Sequence, residues 1–207
     1  MLKESEYGKI IILNGTPRSG KSSIALSIQN TFKGVWMNLG VDQFMQMTPN
    51  RFQPGIGLRP GGERPDLEPL VNTMYQAMYE AIAAFSRLGI NVVVDVGHHE
   101  GYSVPLRILH RCSKILEGFP VLFVGVRCPI EVVMERRMNT WNVGYNNDGT
   151  VPRPIDLWQQ LVHVPGIYDI EVDTSLHRPE ECAQFIRQRL EDNSPAKAFE
   201  FIRNMES

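Results

Sequence analysis

The stretch that most constrains this chain is residues 10–22, Ile-Ile-Ile-Leu-Asn-Gly-Thr-Pro-Arg-Ser-Gly-Lys-Ser. Ile10 to Leu13 reads as a buried strand. Gly15-Thr16-Pro17-Arg18-Ser19-Gly20-Lys21-Ser22 then fits G-x-x-x-x-G-K-[ST] without a mismatch, with Ser23 following. A helical pattern comes next, with Ile24, Ile28 and Phe32 on one face. Strand, glycine loop and helix together make a phosphate site rather than a chance turn. Gly15 and Gly20 let the backbone curl so that successive N–H groups point at one anion. The helix N-terminus adds partial positive charge. Lys21 is placed to bridge the β- and γ-phosphates of a nucleotide, and the Ser22 hydroxyl to hold Mg²⁺.

Downstream, apolar runs alternate with amphipathic stretches. Val35–Leu39, Asn91–Val96, Val121–Val126 and Tyr168–Asp173 read as further strands. The residues from Leu67 to Phe85 carry the i, i+3, i+4, i+7 spacing of a helix, with Asp66 as a good N-cap and Gly89 as a stop. Further helices are expected over 103–116, from Pro129 through Arg137, over 156–163 and over 179–191. Five parallel strands alternating with helices, opened by a phosphate loop, give an α/β doubly wound sheet that binds nucleotide at its strand C-termini. The 207 residues suit one domain. Two segments stand outside the repeat, the Pro/Gly-rich 48–66 as a substrate loop and 136–154 as a lid. Residues 192–207 form a C-terminal tail that carries Phe199, Phe201 and Ile202 for a docking helix.

Net charge is −2, with a pI near 6.2, so there is no electrostatic footprint for nucleic acid. Cys112, Cys128 and Cys182 are far apart and odd in number, as in a reduced cytoplasmic protein without a zinc site. No apolar run approaches the roughly 20 residues of a membrane span, and residues 1–9 are too polar for a signal peptide. The sequence leaves a homo-oligomer open.

Several residues are candidates for chemistry. Asp42 follows the second strand at the edge that bears the phosphate loop. It could take a proton from an attacking hydroxyl or equally cap a helix. Asp95 ends a Val-rich strand, where a carboxylate can hold Mg²⁺ with Ser22. His98 and His99 follow and read as surface residues or, less so, as substrate contacts. Arg127 ends a strand beside the site, and Arg136 and Arg137 enter the lid, where arginines can neutralise transferring charge. Arg51, Arg59 and Arg64 could meet an anionic acceptor or simply be solvated.

These elements resemble the chloramphenicol phosphotransferase family. The matching segments are Ile-Ile-Leu-Asn-Gly with Ser-Gly-Lys-Ser, Leu39-Gly40-Val41-Asp42, Val124-Gly125-Val126-Arg127-Cys128, Val162-His163, and Tyr168-Asp169-Ile170-Glu171-Val172-Asp173-Thr174-Ser175. The resemblance spans about residues 9–190. It implies a small ATP-dependent kinase with an adenylate-kinase-like core, a P-loop NTPase sheet of order 2-3-1-4-5, and a small-molecule hydroxyl acceptor. It implies Asp42 as the base, and Arg127 and Arg136 as the family's strand-end and lid arginines. Segments 50–65 and 96–99 depart from the family pattern, so the acceptor is open. A GTP switch is disfavoured because no N-K-x-D segment occurs. A nucleotide-binding protein without transfer and a nucleotide or nucleoside kinase are the alternatives.

Overall fold

Parallel strands buried on both faces need apolar side chains at nearly every position, and among the five runs the inner three supply them. In the computed structural model, which describes residues 6–61, 63–192 and 194–205, the five are β1 (Ile10–Asn14), β2 (Trp36–Asn38), β3 (Asn91–Val96), β4 (Val121–Arg127) and β5 (Ile170–Asp173). All pair in parallel, in the order β2-β3-β1-β4-β5 that the resemblance implies. Leu13 lies opposite both Asp95 and Val124. The loop after β1, the end of β3 and the end of β4 therefore share one edge of the sheet.

The helices are α1 (Lys21–Thr31), α2 (Val41–Met47), α3 (Glu68–Arg87), α4 (Ile108–Ile115), α5 (Ile130–Trp141), α6 (Arg153–Leu161), α7 (Pro179–Glu191) and α8 (Ala198–Asn204). Alternation along β1 sends Ile11 and Leu13 to one core with Ile24 and Ile28 of α1 and Ile186 of α7. Ile10 and Ile12 go to the other core, with Tyr79 and Ile82 of α3, Leu109 of α4 and Ile202 of α8. Fully burying each such side chain contributes about 1.5–3 kcal/mol. The C-terminal segment docks through Phe199 and Ile202, with the Phe199 ring edge-on to Phe123 at 5.1 Å, whereas Phe201 is exposed. None of the described helices is long and apolar enough to cross a membrane. All three cysteines are buried and unpaired.

Element ends differ from the pattern reading where a distant residue takes part. Asp66 does not cap α3: it binds Arg64 through Nε and Nη2 at 2.9 and 2.7 Å, and Leu67 occupies the N-cap. The fourth helix begins at Ile108, not 103. The Glu100 carboxylate collects the N–H groups of Leu106, Arg107 and Ile108 at 3.1, 2.9 and 3.0 Å, which closes the N-terminus there. Ser103 instead donates its N–H to buried Glu68 of α3 at 2.9 Å. The sixth helix runs over 153–161 rather than 156–163. The last strand starts at Ile170, because Tyr168 leaves the ladder and accepts a hydrogen bond from Asn14 Nδ2 at 2.9 Å.

Candidate active site

The loop after β1 is shaped by two glycines with different tasks. A Cβ at Gly15 would come within 2.5 Å of Val126 O, so only glycine lets the loop lie against β4. Gly20 is the N-cap of α1 at φ 95°, in the left-handed region that glycine enters freely. Arg18 takes a left-handed φ of 72° without being glycine, which turns its side chain over the Trp141 ring, 3.7 Å from the centroid. The loop encloses Lys21, only 6 % exposed. Its ammonium donates to Gly15 O at 2.8 Å and Thr16 O at 2.9 Å and lies 3.5 Å from Asp95 Oδ1. The Ser22 hydroxyl donates to Asp95 Oδ2 at 2.6 Å.

Beyond the loop lies a cavity of about 700 Å³. Of the phosphate-loop residues singled out from sequence, Gly15, Thr16, Pro17, Arg18, Gly20, Lys21, Ser22 and Ser23 line it, while Ser19 is buried behind them. Asp42 and Asp95 line it too. Asp42 sits in the first turn of α2, and its N-cap is Gly40, so the capping reading of Asp42 does not hold. A Cβ on Gly40 would stand 2.8 Å from Asp95 O. The absence of that atom lets the start of α2 press against the end of β3 and brings the two carboxylates together. The Asp42 carboxylate has no hydrogen-bond partner among the described residues. Its pKa is raised, first by desolvation from the cavity wall and then by the Asp95 charge; Lys21 and Arg18 pull the other way.

Arg136 lines the cavity and is fixed in place. Its Nη1 and Nη2 donate to Thr174 Oγ1 at 2.9 Å and Thr174 O at 2.7 Å, and Thr174 Oγ1 in turn donates to Ser19 O at 2.6 Å. Thr174 thus ties the phosphate loop to α5, a role that pattern reading missed although Thr174 lies in a segment of the resemblance. Arg127 is not brought to the cavity. It pairs with Glu171 at 2.5 Å across β4 and β5 and is not among the residues that line the cavity. The sheet ladder, which sets Arg127 opposite Asp173, places Glu171 within reach.

The remaining wall comes from α3, α6 and the segment joining α2 to α3. Thr16 Oγ1 donates to Gln159 Oε1 at 2.6 Å, and Trp158 Nε1 donates to Gly97 O at 3.3 Å, so α6 closes over the loop. Tyr75 and Trp158 present rings to the cavity. The joining segment contains two 3₁₀ turns, Asn50–Phe52 and Gly55–Gly57, and buries Ile56 and Leu58 against α3. It is a packed wall rather than a free loop, and Arg59 follows Leu58 into the cavity lining.

His98 and His99 are not surface residues; they are 3 % and 5 % exposed. His98 Nε2 lies 2.7 Å from Tyr79 OH, and burial, with the His99 charge, lowers its pKa to about 3. His99 Nε2–H donates to Leu58 O at 3.0 Å and its Nδ1 accepts from Gly101 N at 3.1 Å, the neutral ε tautomer. Burial lowers its pKa to about 4. Both rings support the wall beneath the joining segment.

Comparison with known proteins agrees with this geometry. Residues 8–191 match the chloramphenicol phosphotransferase-like protein family. A Mycobacterium tuberculosis protein named as a candidate O-phosphotransferase is 26% identical over 214 residues, covering 95% of this chain and 88% of that protein. Among solved structures, the Mycobacterium tuberculosis APS kinase CysC in complex with AMPPNP and APS superposes with a TM-score of 0.65 at 18% identity, covering 90% of this chain and 99% of that one. The Deinococcus radiodurans tunicamycin resistance protein gives 0.59 at 20% identity, over 88% and 95% of the two chains. Shikimate kinase from Acinetobacter baumannii in complex with shikimate gives 0.58 at 15% identity, over 93% and 99%. With the family match covering nearly the whole chain, this protein belongs to the chloramphenicol phosphotransferase-like family and is a kinase-type enzyme that transfers phosphate to a hydroxyl.

Proposed function

We propose that this chain is a cytoplasmic, ATP- and Mg²⁺-dependent O-phosphotransferase that moves the γ-phosphate to a hydroxyl of a small molecule, in the manner of a chloramphenicol 3-O-phosphotransferase. One observation carries the reading. Asp42, a carboxylate without a hydrogen-bond partner among the described residues, faces the same cavity as Lys21 and the Ser22–Asp95 pair.

Lys21 now spends its donors on two carbonyls of its own loop, and the β- and γ-phosphate oxygens would replace them as acceptors. Ser22 with Asp95, and Asp42 beside them, offer only hydroxyl and carboxylate oxygens. That donor set fits Mg²⁺, which keeps most of its shell as water and phosphate. Among the described residues there is no group of three His, Cys, Asp or Glu that would form an all-protein metal cage. When bound, Mg²⁺ supplies charge neutralisation on the β- and γ-phosphates. Asp42 accepts the proton of the acceptor hydroxyl as its oxygen bonds to the γ-phosphorus. The bond from that phosphorus to the β–γ bridging oxygen breaks, and ADP leaves. A raised Asp42 pKa makes it the stronger base. Arg136, braced on Thr174, and Arg18 lend positive charge to the phosphates. The strand-end role that the resemblance implies for Arg127 finds no support in its ion pair with Glu171.

The test is ATP consumption with Mg²⁺ across a panel of acceptors: chloramphenicol, other antibiotics, sugars and nucleosides. Acceptor-stimulated turnover that falls about 10²–10⁴-fold in Asp42→Asn, with ATP affinity retained, supports the reading. Nucleotide binding without stimulation by any acceptor would favour a binding protein. Preference for nucleosides would favour the nucleoside-kinase alternative.

A further inference from the structure

Four arginines line the cavity, and none is within ion-pair distance of a carboxylate among the described residues; Arg136 is held by Thr174, which leaves three. Arg18 comes from the phosphate loop, Arg137 from α5 and Arg59 from the segment between α2 and α3, and all three line the cavity. None of them is in any of the ion pairs among the described residues. The other two arginines of the joining segment are accounted for elsewhere. Arg64 is bound by Asp66, and Arg51 lies over the exposed Phe52 ring, 4.8 Å from its centroid. Arg137 is 8 % exposed, and its Nε is buried without a partner, as is that of Arg18. Burial and the charges of Arg59 and Arg18 all lower the pKa of Arg137. Three like charges gathered in a partly enclosed space raise the free energy of the empty site. An oxyanion among them removes that cost, and the planar guanidinium fork suits carboxylate, phosphate or sulfate.

The nucleotide accounts for Arg18, which belongs to its loop. It does not account for Arg59. That residue stands on the wall formed with Met45, Ile56 and Gly57, the same wall that α2 and Asp42 build. Leu58 and Pro60, both buried, hold it on either side. We infer that the acceptor carries an oxyanion as well as the hydroxyl that is phosphorylated, and that Arg59 with Arg137 binds it. Tyr75 and Trp158 flank an apolar body between the two groups. This rests on the phosphotransferase reading above and narrows its substrate to anionic alcohols.

Two sources of oxyanion compete for these arginines, the acceptor and the γ-phosphate, and the experiment separates them. The full-length protein, saturated with Mg²⁺ and AMPPNP, is titrated with sodium sulfate at constant ionic strength, with Trp141 and Trp158 fluorescence as the signal. Dialysis against labelled sulfate repeats the measurement without an optical signal. Sulfate that binds the nucleotide complex, and binds at least tenfold more weakly in Arg59→Gln while Arg51→Gln matches wild type, supports the inference. Sulfate excluded by AMPPNP, or bound equally well by Arg59→Gln, overturns it. If AMPPNP itself fails to bind, the kinase reading falls, and the same titration without nucleotide still decides whether Arg59 holds an anion. A second arm uses hydroxy acids and their primary amides as paired acceptors. The acid should exceed its amide at least tenfold in kcat/KM, and Arg59→Gln should abolish that preference. Equal turnover of acid and amide overturns the anionic acceptor and leaves the phosphotransferase standing.

Discussion

Ser22, in the first turn of α1, meets Asp95 near the end of β3, the hydroxyl donating to Asp95 Oδ2 at 2.6 Å while Lys21 lies 3.5 Å from Oδ1. One carboxylate thus touches the Lys21 and Ser22 side chains of the phosphate loop and also raises the pKa of Asp42. A change at Asp95 should therefore be felt in metal use and in base strength together.

Asp95→Asn tests this coupling. Loss of one carboxylate beside the Ser22 hydroxyl should weaken Mg²⁺ use by about 10–100-fold, read as the Mg²⁺ concentration for half-maximal turnover. The pH profile gives an independent readout. Turnover requires Asp42 ionised, so the rate rises with pH through the Asp42 pKa. Removing the Asp95 charge removes a contribution that raises that pKa, and the acid limb of kcat/KM should move to lower pH. Carbon NMR of the Asp42 carboxyl should show the same downward shift. An acid limb that stays in place would mean that Asp42 is not the titrating base.

The two strand-end and lid arginines should respond differently. Arg127 is partly exposed and paired with Glu171, outside the cavity. Arg127→Gln should leave kcat/KM within about threefold and lower stability by less than about 1 kcal/mol, the usual range for an exposed pair. Arg136→Gln loses both donors to Thr174 and the link through Thr174 to Ser19, so the phosphate loop loses a brace. Its kcat/KM should fall about 10²-fold or more. Steady-state kinetics on both variants, with urea unfolding, is the measurement. A hundredfold loss in Arg127→Gln would restore the role that the resemblance implies.

How much of this was legible in the sequence depends on how far each residue's partners lie along the chain. The phosphate loop is contiguous, and its flanks declare a strand and a helix, so its place in the fold follows from local pattern. The edge position of Asp42 and Asp95 follows likewise, since each comes at the end of an apolar run. Arg59 could not be told from Arg51 and Arg64, because the choice is made by Asp66, Phe52 and the packing of Leu58 on α3. The burial of His98 and His99 was hidden because their partners, Tyr79 and Leu58, lie on other elements. For Arg127, a strand end in the right place does not say which way its side chain leaves, and the structure pairs it with Glu171.

Two buried histidines and the half-buried His163 give the fold a pH dependence of definite sign. His98 has its pKa lowered from 6.5 to about 3, chiefly by burial, and His99 and His163 are lowered to about 4. These groups stay neutral in the folded chain while their counterparts in the unfolded chain take up protons below about pH 6.5. The unfolded state then binds more protons, so stability is full above that pH and declines as pH falls toward the folded values. From pH 8 to pH 5 the difference is about 2 kcal/mol from His98 alone, by the linkage of roughly 1.4 kcal/mol per unit. Urea unfolding at the two pH values should show the loss. His98→Gln, which cannot titrate, should be less stable at pH 8 because it disturbs the contact with Tyr79, yet should lose less on acidification than wild type. Equal acid sensitivity in the two proteins would show that His98 is not held neutral in the folded state.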